Sequence, residues 1–431
     1  MNQTVVAKLL LAWGVMSSVA WGQAQEQESY YWGKAYAIPK ETTSEGSGYF
    51  SIIEGKNRRL YIGTAKYGFN GFLVEFDPAA ESMRVVVDAM KEIGKPATGF
   101  AAQAKIHTRN NVGASGKIYF GTKQGYPQRD EKRSDYKGGY PMVYDPQTGK
   151  TRVYDIPIAD QGIISVTPDE SRGVAYISTC SDERPTESTH FMVLDLEKGT
   201  YQDLLDCRHM YAFIVVDYLG RAYHPILGGD IARYDPQEKK LERLQQTIDD
   251  QPPSEASLLA HPQSHPINWD ISPDGKTLYA VAMSGNQLYA YDLTATGDTL
   301  AGKSLGKLLR VEGPTDCRAM CVGPTGTVWA VVRGDFPSRR GAQHLVGFRP
   351  GMKAPVDVGA LAIENPKYTD FQDEQGKAYP WHHGMKTLEN GTMVPLYHMG
   401  VCEGQDGAVY VTAIYPYTVI RFPKPAFQTP K

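Results

Sequence analysis

"RRLYIGTAKYGFNGFLVEFDP", residues 58–78, reads as an apolar strand carrying a tyrosine, a glycine-bearing turn, and a second strand that stops at Asp77-Pro78. The same order returns in "GKIYFGTKQGYP" with "GGYPMVYDPQTGK" (116–127, 138–150), "GVAYISTCSDERPTESTHFMVLDLEKG" (173–199) and "GRAYHPILGGDIARYDPQEKK" (220–240). It returns again in "GKTLYAVAMSGNQLYAYDLTATG" (275–297), "GTVWAVVRGDF" with "HLVGFRPGMK" (326–336, 344–353) and "GAVYVTAIYPYTVIRFPKP" (407–425). Apolar, β-branched and aromatic runs bounded by Gly, Pro, Asn and Asp are strand-and-turn chemistry. The leading aromatics are Tyr61, Tyr119, Tyr176, Tyr223, Tyr279, Trp329 and Tyr410, spaced 58, 57, 47, 56, 50 and 81 residues apart. A period of roughly 40 to 60 residues built from short strands marks β-propeller blades. The expected fold is therefore all-β, a single seven-bladed β-propeller of four-stranded antiparallel blades. The blades fall at about 49–88, 102–157, 161–206, 209–247, 266–310, 316–361 and 396–427. The seventh repeat runs out after its third strand, and "GKAYAIP" (33–39) is expected to complete it, because an open ring would expose two sheet edges.

Lys8, the apolar run Leu9 to Ala20 and the stretch Trp21-Gly22-Gln23-Ala24 read as a signal peptide over residues 1–24, leaving a propeller over 25–431. The expectation is a secreted or periplasmic monomer with no membrane span after signal removal, since no later apolar run is long enough. With 45 basic and 48 acidic residues, the charge of −3 supplies no polycation for nucleic acid. Five cysteines are too few for a disulfide scaffold. Cys317 and Cys321 lie too far apart along one strand to bridge. Cys321 and Cys402 share a register in neighbouring blades, which favours buried thiols. No Walker loop, GxGxxG, HExxH or GxSxG motif occurs.

The short turns "GASG", "PDES", "DYLG", "SPDG", "GPTG" and "GQDG" would lie on one face of such a ring. The long insertions, 123–140, 181–190 and 334–343 together with 89–104, 248–266 and 362–395, fall on the other. Connections this long on a rigid scaffold carry binding surfaces. Twelve residues before the repeat aromatics stand Tyr49, His107, Tyr211, Ile267, Cys317 and His398, with Gln161 near the third blade's position. His209, Asn268 and Arg318 flank them, and the second strands end on the same face at Lys66, Lys123, Arg184, His224, Asn286, Arg333 and Tyr415. His224 also departs from the pattern "YIGT" and "YFGT".

Three kinds of chemistry suit this set. Arg184, Arg318 and Arg333, with Asn268 and Tyr126, are candidates for binding an anionic polysaccharide or oligosaccharide, because a guanidinium fork matches a carboxylate. His107, Lys123, Tyr211, His209 and His224 are candidates for moving protons, His107 first as base because its ordinary pKa lies near neutrality. His382, His383 and His398 could hold a divalent ion, zinc, manganese or calcium. A non-catalytic carbohydrate- or protein-binding propeller and a metal-dependent propeller lactonase or hydrolase are the competing readings.

At "KIHTRNNVGASGKIYFGTKQG" (105–125) the chain resembles the seven-bladed propeller polysaccharide lyases, the group that includes ulvan lyases and, more remotely, oligogalacturonate lyase. The resemblance covers the ring as architecture and is motif-specific across roughly residues 100–230. It implies cleavage beside a uronic acid by β-elimination. It also implies a histidine on the inner strand of the second blade, which His107 matches, and a second one after that blade's "GT", where Lys123 stands instead. A tyrosine and an arginine are implied from the following blade. Arg184 can supply the arginine, whereas the tyrosine position falls near Gln161.

Overall fold

The computed structural model describes residues 29–44, 46–182, 188–209, 213–253, 267–369 and 384–426, with the side chains of 46–49 left aside. Each sequence repeat folds into a set of antiparallel strands. In the first unit these are Gly46–Glu54, Leu60–Ala65, Phe72–Asp77 and Ser82–Asp88, paired in chain order. The third unit, Gly162–Asp169 to Tyr201–Asp206, is a complete four-stranded sheet on its own. The sixth runs from Asp316–Val322 to Val356–Ile363.

Neighbouring units are joined at their edges. The outer strands of units four and five pair in parallel, Gln245 to Ile248 against Thr299 to Gly302. Tyr30–Ala37 pairs in two directions. Its first half runs parallel to unit six at Ala360 to Ile363, and its second half lies antiparallel to the third strand of unit seven, with Lys34 opposite Arg421 and Ala37 opposite Thr418. The long insertion after residue 362 holds a small hairpin, Met385–Thr387 with Met393–Pro395.

The apolar core lies between units. Tyr61 and Leu73 of the first unit pack with Ile118, Phe120 and Met142 of the second, and Tyr176 and Phe191 of the third pack with Ala222 and Tyr234 of the fourth. A lone sheet of this size could not bury its faces, so the repeats stabilise one another. The repeat tyrosine serves both ends of that requirement. Its ring is buried, and its hydroxyl reaches a polar group at the turn face: Tyr61 donates to Glu75 at 2.9 Å, Tyr119 to Glu170 at 2.7 Å and Tyr223 to Asp217 at 2.8 Å. The glycine of "YIGT" has a packing cause. A Cβ on Gly63 would stand 2.2 Å from Ser51 Oγ and 2.6 Å from the Ile106 carbonyl, so the next unit's inner strand could not close on it.

The inner strand of the second unit is broken. Lys105–Ile106 and Asn111–Val112 form ladders, and residues 107–110 between them do not. Thr108 Oγ1 accepts from the Gly121 amide at 3.1 Å, and Asn110 Nδ2 donates to the Tyr61 carbonyl at 3.2 Å. Side chains thus stand in for strand hydrogen bonds. This detour aims Arg109 across the axis. Its guanidinium pairs with Asp270 of unit five and donates to the Trp269 carbonyl at 2.6 Å. Phe50 and Phe213 meet beside that pair with ring centroids 4.9 Å apart, and Trp269 Nε1 donates to the Phe213 carbonyl at 2.6 Å.

Candidate functional site

At one end of the inner strands the second unit gathers buried charge. Lys105 and Lys123 are cross-strand partners, and both are fully buried. Lys123 Nζ lies 2.8 Å from Asp182 Oδ1 and 3.1 Å from Cys180 Sγ, contacts that tie the second unit to the third. Burial works against the Asp182 carboxylate, but Lys123 and then Lys105 pull its pKa well below the usual range. Lys105 has no such partner. Its Nζ makes no hydrogen bond among the described residues and sits 4.6 Å from the Tyr126 ring centre and 5.6 Å from that of Tyr67. Burial, and next the charge of Lys123, brings its pKa down to about 7. His107 is buried two residues further on, where burial first, then Lys105 and Lys123, hold its pKa well below the ordinary value. Its protonation is opposed by burial and by both lysines and favoured by Asp182.

The corresponding end of units six and seven opens as a cavity of 530 Å³ lined by Arg318, Arg333, Gln343, Tyr397, His398 and Tyr415, among others. Arg318 holds Asp316 through Nε at 2.9 Å, with its side chain 48% exposed, while Arg333 is exposed at the cavity wall. Tyr397 and Tyr415 meet edge to face with ring centroids 5.8 Å apart. His398 braces this wall. Its Nε2 accepts from the Arg318 amide at 3.1 Å, which leaves Nδ1 as the protonated nitrogen donating to Gln343 Oε1. Burial, followed by Arg318 and Arg333, lowers its pKa to about 3. With both nitrogens engaged, His398 does not offer a lone pair to a metal. His382 and His383, expected to share that ion, lie outside the described residues, and no group of three metal-ligating side chains occurs among the described ones.

The remaining sequence candidates fall in two classes. His224 is a bracing residue: its Nδ1 donates to the Pro225 carbonyl at 2.8 Å, its Nε2 meets Ser178 Oγ at 3.0 Å, and its ring stacks on Phe191. Burial lowers its pKa to about 4, so it is not the proton donor the sequence suggested. Asn268 is likewise turned to structure, donating to the Cys317 carbonyl of the next unit at 2.8 Å. His209 is buried. Tyr126 is exposed and covers Lys105, whereas Arg184 and Tyr211 lie outside the described residues. The five cysteines are all free and buried, which for Cys321 and Cys402 agrees with the buried thiols expected.

Sequence reasoning missed Lys105, Cys180, Asp182 and the Arg109–Asp270 pair. For Lys105 a signal existed, since it alternates with His107 at two-residue spacing and so shares its side of an extended chain. A second cavity, of 190 Å³, opens toward the turn face and is lined by Glu54, Arg109, Asp270 and Glu403 among apolar residues. Burial raises the pKa of both glutamates.

No family model matches the chain, and no curated protein sequence matches it. Solved structures do. A streptogramin B lyase is similar with a TM-score of 0.54 at 12% identity, over 91% of this chain and 97% of that one. The Cps50 (Swd1) β-propeller domain of Myceliophteria thermophila gives 0.54 at 11% identity, over 88% of this chain and 96% of that one. An extracellular domain of a hybrid two-component system from B. thetaiotaomicron gives 0.52 at 10% identity, over 93% of this chain and 40% of that one. At such identities the likeness is one of fold. The chain is a β-propeller.

Proposed function

We propose that this chain is an exported seven-bladed propeller, its ring closed by the N-terminal strand, that cleaves a uronate-containing polysaccharide by β-elimination. The observation that carries the reading is the concentration of positive and proton-accepting groups at the insertion-bearing end of the inner strands. Lys105, His107 and Lys123 stand there on unit two, and Arg318 and Arg333 line the cavity of units six and seven. Elimination requires the uronate carboxylate to be neutralised so that its α-proton becomes acidic, and a base to take that proton. Cationic side chains beside an unprotonated base meet both needs. The apolar N-terminal segment supports export, and the extracellular neighbour agrees with it. The proposal routes no step through a divalent ion.

A second reading, a non-catalytic propeller that binds an anionic glycan, is favoured by the exposed guanidinium of Arg333 beside Tyr397 and Tyr415. Incubating the purified chain with a panel of uronate polysaccharides separates the two. A rise in the ultraviolet absorbance of an unsaturated uronate supports the lyase; tight binding with no rise across the panel supports the binding protein.

A further inference from the structure

Lys105 stands where the fold has no structural use for a charge. Lys123, its cross-strand neighbour, has the Asp182 carboxylate at 2.8 Å, but Lys105 Nζ is fully buried with no hydrogen bond among the described residues and with the faces of Tyr67 and Tyr126 beside it. An apolar side chain would fill this space without desolvating an amine. The amine is nevertheless close to solvent. Tyr126 lies over it and is itself 55% exposed, so one ring separates Lys105 from the insertion-bearing face. Gly125 brings that ring down. A Cβ there would stand 3.3 Å from both Ala104 Cβ and Tyr67 Cδ1, so the loop is pressed against unit one where Tyr126 begins.

Resting on the lyase reading, we propose that Lys105 is the proton acceptor of an elimination beside the uronate carboxylate, an amine reached when Tyr126 swings aside. The lone pair of Lys105 takes the proton from the carbon beside that carboxylate. The electron pair of the broken C–H bond forms the new carbon–carbon double bond. The glycosidic C–O bond then breaks, and its oxygen leaves with the bonding pair and takes a proton from water. The Lys105 ammonium returns its proton to solvent. His107, buried beside the two lysines, is disfavoured for this role because burial, then Lys105 and Lys123, hold its pKa well below the ordinary value and make it the weaker base. The titrating and charged groups around Lys105 are Lys123, Asp182, Cys180 and His107. A pKa of about 7 agrees with the placement and gives a base suited to neutral pH.

The test has two arms. In the first, the folded wild-type chain is labelled competitively with trace acetic anhydride across pH 5 to 11, and the peptide holding Lys105 is followed by mass spectrometry. The expected result is a rate that levels off near pH 7 while surface lysines keep rising toward pH 10, and a roughly tenfold faster Lys105 reaction in Tyr126→Ala. A Lys105 that titrates with the surface lysines overturns the proposal. In the second arm, Lys105→Met and Lys105→Arg are assayed on the uronate polymer that wild type cleaves, with circular dichroism confirming the fold. Loss of about a thousandfold in kcat, partly rescued in Lys105→Met by added methylamine, supports the assignment; retained turnover overturns it while leaving the lyase standing. A neutral amine in the first arm with no polymer cleaved by wild type overturns the lyase reading and, with it, the acceptor role.

Discussion

Replacing Arg109 by alanine removes a side chain that reaches from unit two to unit five. Asp270 would lose its ion pair, and the Trp269 carbonyl would lose its donor at 2.6 Å. The side chains of Arg109 and Asp270 are only 17% and 14% exposed, so solvent restores little of what is lost. Removing one partner of a buried pair costs about 3 to 5 kcal/mol. Asp270 keeps the Val322 amide at 2.7 Å and the Ile271 amide at 2.8 Å, which lowers the expected cost to about 2 to 3 kcal/mol. At about 2 cal/mol/K of unfolding entropy per residue, a chain of 431 residues loses roughly 3 °C in Tm. Calorimetry on Arg109→Ala, Asp270→Ala and the double variant measures both the cost and the coupling. The double variant should be less destabilised than the sum of the singles by about 1 to 2 kcal/mol, because it leaves no buried charge alone. Single costs that add within 0.5 kcal/mol would refute the view that this pair braces the ring.

Four further outcomes follow from the same geometry. Lys105 titrates near 7 when folded and near the ordinary lysine value of about 10.4 when unfolded, so the folded state binds fewer protons between those pH values and wild-type stability must rise with pH across that window. Relative to Lys105→Met, wild type should gain about 2 kcal/mol between pH 7 and pH 9 and nothing below pH 6, read from denaturant midpoints. Tyr119→Phe strands one Glu170 oxygen that still holds Ser115, and should cost about 1 kcal/mol in the same assay, with no change in the unfolding slope. Arg333→Gln should weaken affinity for a uronate oligomer about tenfold, or ~1.4 kcal/mol by titration calorimetry, while leaving kcat on bound polymer unchanged. Dialysis against EDTA should leave cleavage of a uronate polymer intact; activity that disappears and returns with zinc or manganese would bring His382, His383 and His398 back into the reacting site.

The propeller was legible because its cause is local and repeated. Each strand carries its own apolar alternation, and each unit carries a buried aromatic at the same place, a tyrosine in all but the sixth, whose hydroxyl finds a carboxylate or carbonyl at the turn face in units one to four. The site was legible only in its address. The count of twelve residues back from the aromatic falls at the start of the inner strand in units five to seven, at Ile267, Cys317 and His398, and at unit two falls within two residues of Lys105. What the sequence could not show is how each polar side chain is satisfied there. His224, His398 and Asn268 occupy positions suited to chemistry, yet their hydrogen bonds run to Pro225, to Arg318 and Gln343, and to Cys317, all set by neighbouring units far along the chain or by the bend of a strand. A lysine at a strand start reads as solvated until the next unit supplies Asp182 to one lysine and nothing to the other. Two lysines facing each other across a ladder are therefore unequal in chemistry, and the inequality comes from tertiary placement. The one without a carboxylate partner yields its proton near neutrality. Asp182→Asn removes the charge that holds the Lys105 titration midpoint up, so that midpoint should fall, and an unchanged midpoint would show that burial and Lys123 alone set it.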